Sequence, residues 1–333
     1  MKILITGANG YYGKILSEYL SKLGFECFKL DRSIADGIEC DLTRYLKLEK
    51  LLEGIHLDVV IHLASDIDFA VSDQGLLYSN NVISTENILR FCEKRGIDRI
   101  IFTSSNSIYL GNKEEFIQES ADPIPIDAYG KSKLDSESLI LNSKIKNKFI
   151  VRCPNIIDAG RIGMLSILFE LLENNSTLWV LGDGMIRHQC IYAQDLNAAI
   201  YKMLFKDGVY IFNIGSENVP TFIDMYKELI KVVGSQSKIR SIPTCLAIPI
   251  LKILYFLGLS PMGQYQFRML TKNFQFDLDC IKDTLNWEPT KTNTEILAIA
   301  YDYYLKNNKI EIKSANNSSV KMGILSILKY IRI

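Results

Sequence analysis

Histidine is scarce: 3 in 333 residues, at positions 56, 62 and 188. None follows another at His-x-x-x-His spacing, so no metal site is expected. His62 and His188 read as residues of strands, and His56 as a surface loop residue. The 7 cysteines are odd in number, scattered, and never spaced as Cys-x-x-Cys. That excludes a disulfide framework or a zinc ribbon and fits reduced, mostly buried thiols in a cytoplasmic protein. An excess of either charge is also missing, with 38 basic against 38 acidic residues; nothing general points to nucleic acid or an acidic partner. Long apolar runs are lacking too. MKILI at the N-terminus is too short for a secretory core. CLAIPILKILYFLGL at 245–259 contains Pro249 and Lys252 and falls short of the ~20 apolar residues a membrane span needs, so a core or interfacial helix is expected there.

What is present is an ordinary globular balance, 48% hydrophobic and 23% charged, enough for a real core. The first half alternates short apolar runs with longer helical patterns. KILIT, FECFKL, LDVVIHLA, DRIIFTS and KFIVRC are the strands, with helices near 12–24, 43–53, 76–95 and 127–144 between them. All-apolar strands joined by helices mean crossovers over both faces of a parallel sheet. The fold class is therefore α/β, a doubly wound, Rossmann-like parallel sheet. Residues 1–155 form the dinucleotide-binding part, its sheet extended by strands from 188–215. Residues 156–310 form a smaller, mainly helical substrate lobe, and 311–333 a polar linker and tail. No internal repeat is visible.

The stretch ITGANGYYG places Gly7, Gly10 and Gly13 between the first strand and the first helix. A helix start offers free N–H groups and partial positive charge, which suit a pyrophosphate if the backbone can come close. Gly7 permits the tight turn, Gly10 the close approach and Gly13 the packing of helix on strand. Asn9, Tyr11 and Tyr12 lie in the same turn and are expected at the cofactor. Asp31, 18 residues after Gly13, directly follows the second strand, which ends at Leu30. Its carboxylate can accept hydrogen bonds from the adenosine ribose and repel a 2′-phosphate, which favours NAD. Arg32 beside it can pair with that phosphate instead, so NADP is not excluded.

AYGKSK at 128–133 holds Tyr129 and Lys133, four residues apart and so on one helical face. A tyrosine is a poor base at neutral pH, with an ordinary pKa of about 10. A nearby ammonium favours the phenolate, and Tyr129 can then exchange a proton with a substrate hydroxyl. A further hydroxyl to orient the substrate oxygen is expected from FTSSNSIYLG at 102–111. Ser105 is the first choice, with Ser104 and Thr103 as near alternatives.

TGANGYYG, Asp31, CDL at 40–42, HLAS at 62–65, NNVISTENIL at 80–89, TSSNSIY at 103–109 and YGKSK at 129–133 occur in that order. Together they resemble the extended short-chain dehydrogenase/reductase family, the NAD-dependent epimerase/dehydratase group, over about residues 1–305. The resemblance implies that Ser105 supplies the hydroxyl and that Tyr129 and Lys133 form the catalytic pair, Lys133 also reaching the cofactor. It implies an adenine contact at Asp41 and Leu42 and a cofactor-lining segment at Leu63, Ala64 and Ser65. GDGMIRHQCIYAQDLNAAI at 182–200 resembles the family's Gly-Asp-Gly stretch, which maps a phosphate contact to Arg187. RCPNI at 152–156 puts Asn155 toward substrate. The family continues Tyr-Gly-Pro where this chain has IDAG at 157–160.

The dehydratases of this group carry an Asp-Glu pair after the serine or threonine; here Asn106 and Ser107 follow Ser105. The expected activity is thus that of an NAD(P)-dependent nucleotide-sugar epimerase or 4-ketoreductase. A lipid or steroid-like hydroxyl dehydrogenase and a non-catalytic NAD(P)-binding sensor are the alternatives. The tail VKMGILSILKYIRI at 320–333 sets Met322, Ile324, Leu325, Ile327, Leu328 and Ile331 on one side, with Lys321, Lys329 and Arg332 elsewhere. Such a tail in a cytoplasmic protein packs on its own domain or a partner, the favoured reading, or alternatively lies in a membrane interface as a peripheral contact. A homodimer is implied by the resemblance alone.

Overall fold

The computed structural model describes residues 1–67, 74–163, 165–256, 269 and 271–307. The tail at 320–333, the linker before it and the end of the 245–259 run lie outside them. Among the described residues seven strands form one parallel sheet: β1 (Lys2–Thr6), β2 (Glu26–Asp31), β3 (Ile38–Glu39), β4 (Val59–His62), β5 (Arg99–Ser105), β7 (Asn147–Cys153) and β11 (Val209–Asn213). Their order is β11-β7-β5-β4-β1-β2-β3. The direction of winding reverses between β1 and β4, where doubly wound sheets bind ligands beyond the strands' carboxyl ends.

Alternation explains why the central strands β1, β4, β5 and β7 are mainly apolar. Ile3, Ile5, Val59, Ile61, Ile101, Phe149 and Val151 point to one face and join α1 (Tyr11–Lys22) and α6 (Ala193–Met203) in a single core. Leu4, Val60, Ile100, Phe102 and Ile150 point to the other, against α2 (Tyr45–Leu51) and α3 (Gln74–Arg95). Strands buried on both faces have no polar side. Helix α1 buries Tyr12, Leu16 and Leu20, spaced four apart on one face; each such side chain contributes roughly 1.5–3 kcal/mol by leaving water.

The second half joins this sheet only in part. β11 pairs with β7, as a sheet extension from 188–215 requires. β10 (Cys190–Tyr192) does not; it pairs with β8 (Asn155–Ile157) in a separate ribbon. β9 (Leu178–Leu181) pairs with β12 (Ile239–Ile242) in another. A third core gathers Phe169, Leu229, Ile296 and Tyr301 around these ribbons.

Candidate active site

The glycine turn closes through Gly10 N–H donating to Gly7 O at 3.1 Å. Gly7 has φ +70°, and a Cβ there would lie 2.7 Å from Ala64 N. A Cβ on Gly13 would lie 2.2 Å from Gly7 O. The turn is thus packed so tightly against β4's exit and its own helix that only hydrogens fit. Among the described residues, no side chain caps α1 at Gly10 and no acid stands in its first turn, leaving the helix start for an outside anion. Tyr11 donates to Ala159 O at 3.3 Å and carries the Arg161 guanidinium 5.0 Å over its ring. Tyr12, expected at the cofactor, packs into the core instead, so only its main chain stays at the turn.

Asp31 is held from both sides: Oδ2 accepts from Asn9 N at 2.9 Å and Oδ1 from Arg32 N at 2.7 Å. Asn9 Nδ2 donates to Ser33 O at 2.7 Å. Arg32 turns to Asp66, with Nη1–Oδ1 and Nη2–Oδ2 both at 3.3 Å. Burial raises the Asp41 carboxyl, but the Thr43 amide and hydroxyl, donating at 3.0 and 2.9 Å, hold it below its ordinary range. Leu42 is buried, its carbonyl accepting from Asn87 Nδ2 at 2.8 Å.

The Leu63–Ser65 segment is fixed from beneath. Thr6 Oγ1 accepts from Ala64 N at 3.2 Å and faces His62 Nδ1 at 2.7 Å. His62 Nε2 faces Thr85 Oγ1 at 3.2 Å, and Thr85 donates to Ser136 Oγ at 3.0 Å. Burial first, then the Lys133 charge, pushes His62 down to about 3; it is a neutral link between β1, β4, α3 and α4 (Ala128–Asn142). The Ser65 hydroxyl oxygen is buried with no partner among the described residues. That orphan acceptor and donor, with the glycine turn and the uncapped helix start, fits a dinucleotide lying over this edge.

Helix α4 begins at Asp127, whose Oδ1 accepts from Gly130 N at 2.6 Å. This cap starts the helix so that Tyr129 and Lys133 both face inward and are buried. Lys133 Nζ donates to Thr103 O at 2.9 Å, lies 4.6 Å over the Phe102 ring and 5.8 Å from the Tyr129 ring centre. Burial pulls this lysine down to about 8, against the Cys153 and Glu137 charges, so at neutral pH it is still an ammonium. Ser105 ends β5 beside Cys153 in register. Its Oγ accepts from Ser107 N at 3.1 Å and donates to Asn106 Oδ1 at 3.4 Å. The Ser104 hydroxyl is buried with no partner among the described residues, while Thr103 offers Lys133 its carbonyl.

Asn155 is exposed in β8, beside Cys190 of β10. Arg187 is half-buried, and its Nη1 donates to Val219 O. In place of Tyr-Gly-Pro, the IDAG loop buries Asp158, which accepts from Gln194 Nε2 at 2.7 Å, and brings Arg161 to Tyr11. Asp66 and Arg161 join this edge without any motif marking them, whereas Thr6 opens the TGANGYYG motif and supports the edge from beneath. The acid directly after HLAS was the one available signal for Asp66. Among the described residues no group of three or more His, Cys, Asp and Glu side chains is placed to hold a metal ion, and no helix is long and apolar enough to cross a membrane.

Residues 3–215 match the model of the NAD dependent epimerase/dehydratase family. The protein y4nG of Sinorhizobium fredii is 27% identical over 341 residues, covering 98% of this chain and 85% of the relative. The sterol-4-alpha-carboxylate 3-dehydrogenase, decarboxylating, of Schizosaccharomyces pombe is 25% identical over 269 residues, covering 75% of this chain and 78% of the relative. The crystal structure of UDP-glucose 4-epimerase from Thermotoga maritima with UDP-glucose superposes with a TM-score of 0.74 at 21% identity, covering 93% of this chain and all of that one. These likenesses accord with the seven-stranded parallel fold.

Proposed function

Because the chain belongs to the NAD-dependent epimerase/dehydratase family, we propose that it moves hydride at a carbinol carbon of a nucleotide-sugar, as an epimerase or a 4-ketoreductase. The observation that carries this reading is the pairing of Tyr129 with the buried Lys133, whose Nζ donates to Thr103 O near the carboxyl end of β5. The bound dinucleotide supplies the hydride acceptor and donor. Tyr129 takes the proton from the substrate hydroxyl as the carbonyl forms and returns it in the reverse step. Lys133 favours the phenolate by its charge. Ser105 holds the same substrate oxygen. Gly7, Gly10, Gly13 and the start of α1 take the diphosphate of the cofactor; Asp31 takes its ribose, Asp41 and Leu42 its adenine, and Leu63, Ala64 and Ser65 line its path. Asn155 and Arg187 are assigned to the substrate side.

Asn106 and Ser107 follow Ser105, so there is no carboxyl pair at that place for eliminating water. Epimerisation and simple reduction need no further acid or base. The test is a panel of UDP-, GDP-, CDP- and dTDP-sugars given to the purified protein with NAD or NADH. Isomerisation with no net change in NADH identifies an epimerase; consumption of NADH identifies a reductase. Inertness toward the whole panel would overturn the sugar assignment.

A second reading, a steroid-like 3-hydroxy dehydrogenase, rests on the sterol dehydrogenase relative, which aligns over most of both chains. It uses the same three side chains. Helix α8 (Thr244–Phe256) adds support, exposing Leu246, Ile250 and Ile253 on one stripe suited to a lipid surface. NADH formation from a 3-hydroxysteroid in detergent, absent with every sugar, would select this reading.

A further inference from the structure

We propose that Asp66 is a coenzyme-specificity residue: by holding Arg32 in an ion pair at the end of β2, it withholds from NADP the cation that a 2′-phosphate requires. The inference rests on the reading that the glycine turn holds a dinucleotide with its adenosine ribose at Asp31.

The geometry is that of a fork closed on a carboxylate. Arg32 meets Asp66 through both terminal nitrogens, each at 3.3 Å from a separate oxygen. Asp66 is itself anchored: its Oδ2 accepts from Asn80 Nδ2 at 3.0 Å, its N–H donates to Asn81 Oδ1 at 2.7 Å, and its carbonyl accepts from Asn81 Nδ2 at 3.1 Å. Asp66 is therefore a fixed acceptor, and the half-exposed Arg32 side chain is drawn to it. The Arg32 charge also bears on Asp41, and Asp31 is its chain neighbour. One guanidinium thus stands among three carboxylates.

The two coenzymes meet this arrangement differently. A ribose hydroxyl is uncharged and needs only an acceptor, which Asp31 provides while keeping its bonds to Asn9 and Arg32. A 2′-phosphate brings up to two negative charges to the same place. It needs the planar fork of an arginine, bound through two parallel N–H bonds. To offer that fork, Arg32 must leave Asp66 unpaired, and the phosphate must enter beside three carboxylates. Asp31 alone would disfavour NADP; Asp66 removes the remedy that Arg32 otherwise offers.

Titrating the full-length protein with NADH and with NADPH, each read by its own fluorescence, tests this without needing a substrate. The wild type binds NADH more tightly. Asp66→Asn keeps the side chain's acceptor for Asn80, frees the guanidinium, and tightens NADPH about tenfold while NADH moves less than about twofold. Asp66→Glu, which restores the carboxylate, stays near the wild-type ratio. Asp66→Asn combined with Arg32→Ala loses the NADPH gain. An unchanged ratio in Asp66→Asn, a gain that survives without Arg32, or a wild type that prefers NADPH overturns the inference while leaving dinucleotide binding intact. A wild type that binds neither coenzyme sinks the dinucleotide reading itself, and the inference with it.

Discussion

Glu137 and Arg152 face each other across the interior, Oε2 to Nη2 at 2.7 Å and Oε1 to Nε at 3.2 Å, both side chains almost wholly buried. The same guanidinium reaches the Tyr109 hydroxyl and donates to Glu119 O at 3.0 Å. Glu137 lies on the inward face of α4, one turn past Lys133 and two past Tyr129. The pair therefore pins that helix to β7 and fixes how far Tyr129 stands from the end of β5. Glu137→Gln leaves a charged guanidinium buried without its counter-ion, which costs ~3–5 kcal/mol. Replacing both partners, as Glu137→Leu with Arg152→Met, recovers most of the loss. Urea unfolding of the three proteins checks this; a single variant within 1 kcal/mol of wild type, roughly the scale of an exposed pair, would show that the bridge is dispensable.

Tyr129→Phe removes one oxygen and keeps the ring packed beside Lys133. If Tyr129 is the acid and base, turnover falls by about 10²–10⁴-fold, while NADH binds as before because the glycine turn proposed to take its diphosphate is made by other residues. Equal loss of binding and turnover would point to a folding defect. Retained turnover would remove Tyr129 from the chemistry.

His62 gives the fold a dependence on acid. In the unfolded chain it takes a proton near its ordinary pKa of 6.5, whereas in the fold burial and the Lys133 charge hold it at about 3. The unfolded state therefore binds the extra proton between those values. The contribution is fully present above pH 6.5 and is lost progressively as pH falls toward 3. Between pH 6.5 and about 5 the loss is ~2 kcal/mol. His62→Gln removes the titrating group and keeps a polar side chain between Thr6 and Thr85, so its urea midpoint falls less steeply with acid. Parallel pH dependence in both proteins would assign the acid sensitivity elsewhere.

How much of this was legible in the sequence follows from which forces are local. β1, β4, β5 and β7 announce themselves because both faces are buried and the runs are apolar without a break. The glycines and the Tyr129–Lys133 spacing are readable because their geometry is set within one turn of chain. β6 (Phe116–Ile117) and β13 (Gln275–Phe276), two residues each, exist only by pairing with each other from opposite halves of the chain, and leave no periodic trace. The same holds for β10, which the apolar pattern assigns to the main sheet and which the structure gives to β8. Arg32 with Asp66 and Glu137 with Arg152 are likewise tertiary facts: nothing in either segment names its partner. Tyr12 is the reverse case. Its place in a conspicuous loop suggests a ligand contact, yet its spacing with Leu16 and Leu20 already marks the buried face of α1. His188 is half-buried, donates to Lys272 O at 2.9 Å, and is held down to about 4 by desolvation.

Gly54 and Gly13 separate two costs that a substitution usually mixes. At Gly54 φ is +74° with open space where a Cβ would go, so Gly54→Ala meets backbone strain alone, about 1 kcal/mol. Gly13 does not have positive φ, but its added Cβ would sit 2.2 Å from Gly7 O and 2.7 Å from Ala8 Cα. Those are backbone atoms, and they yield only by lifting α1 off the turn. The consequence falls on the helix start, where the diphosphate is proposed to sit. Gly13→Ala is therefore expected to weaken NADH at least tenfold, whereas Gly54→Ala lowers the melting temperature and leaves NADH affinity within about twofold. Fluorescence titration beside thermal melts distinguishes the two. If Gly13→Ala melts like Gly54→Ala and still binds NADH as the wild type does, the turn is not where the coenzyme's phosphates rest.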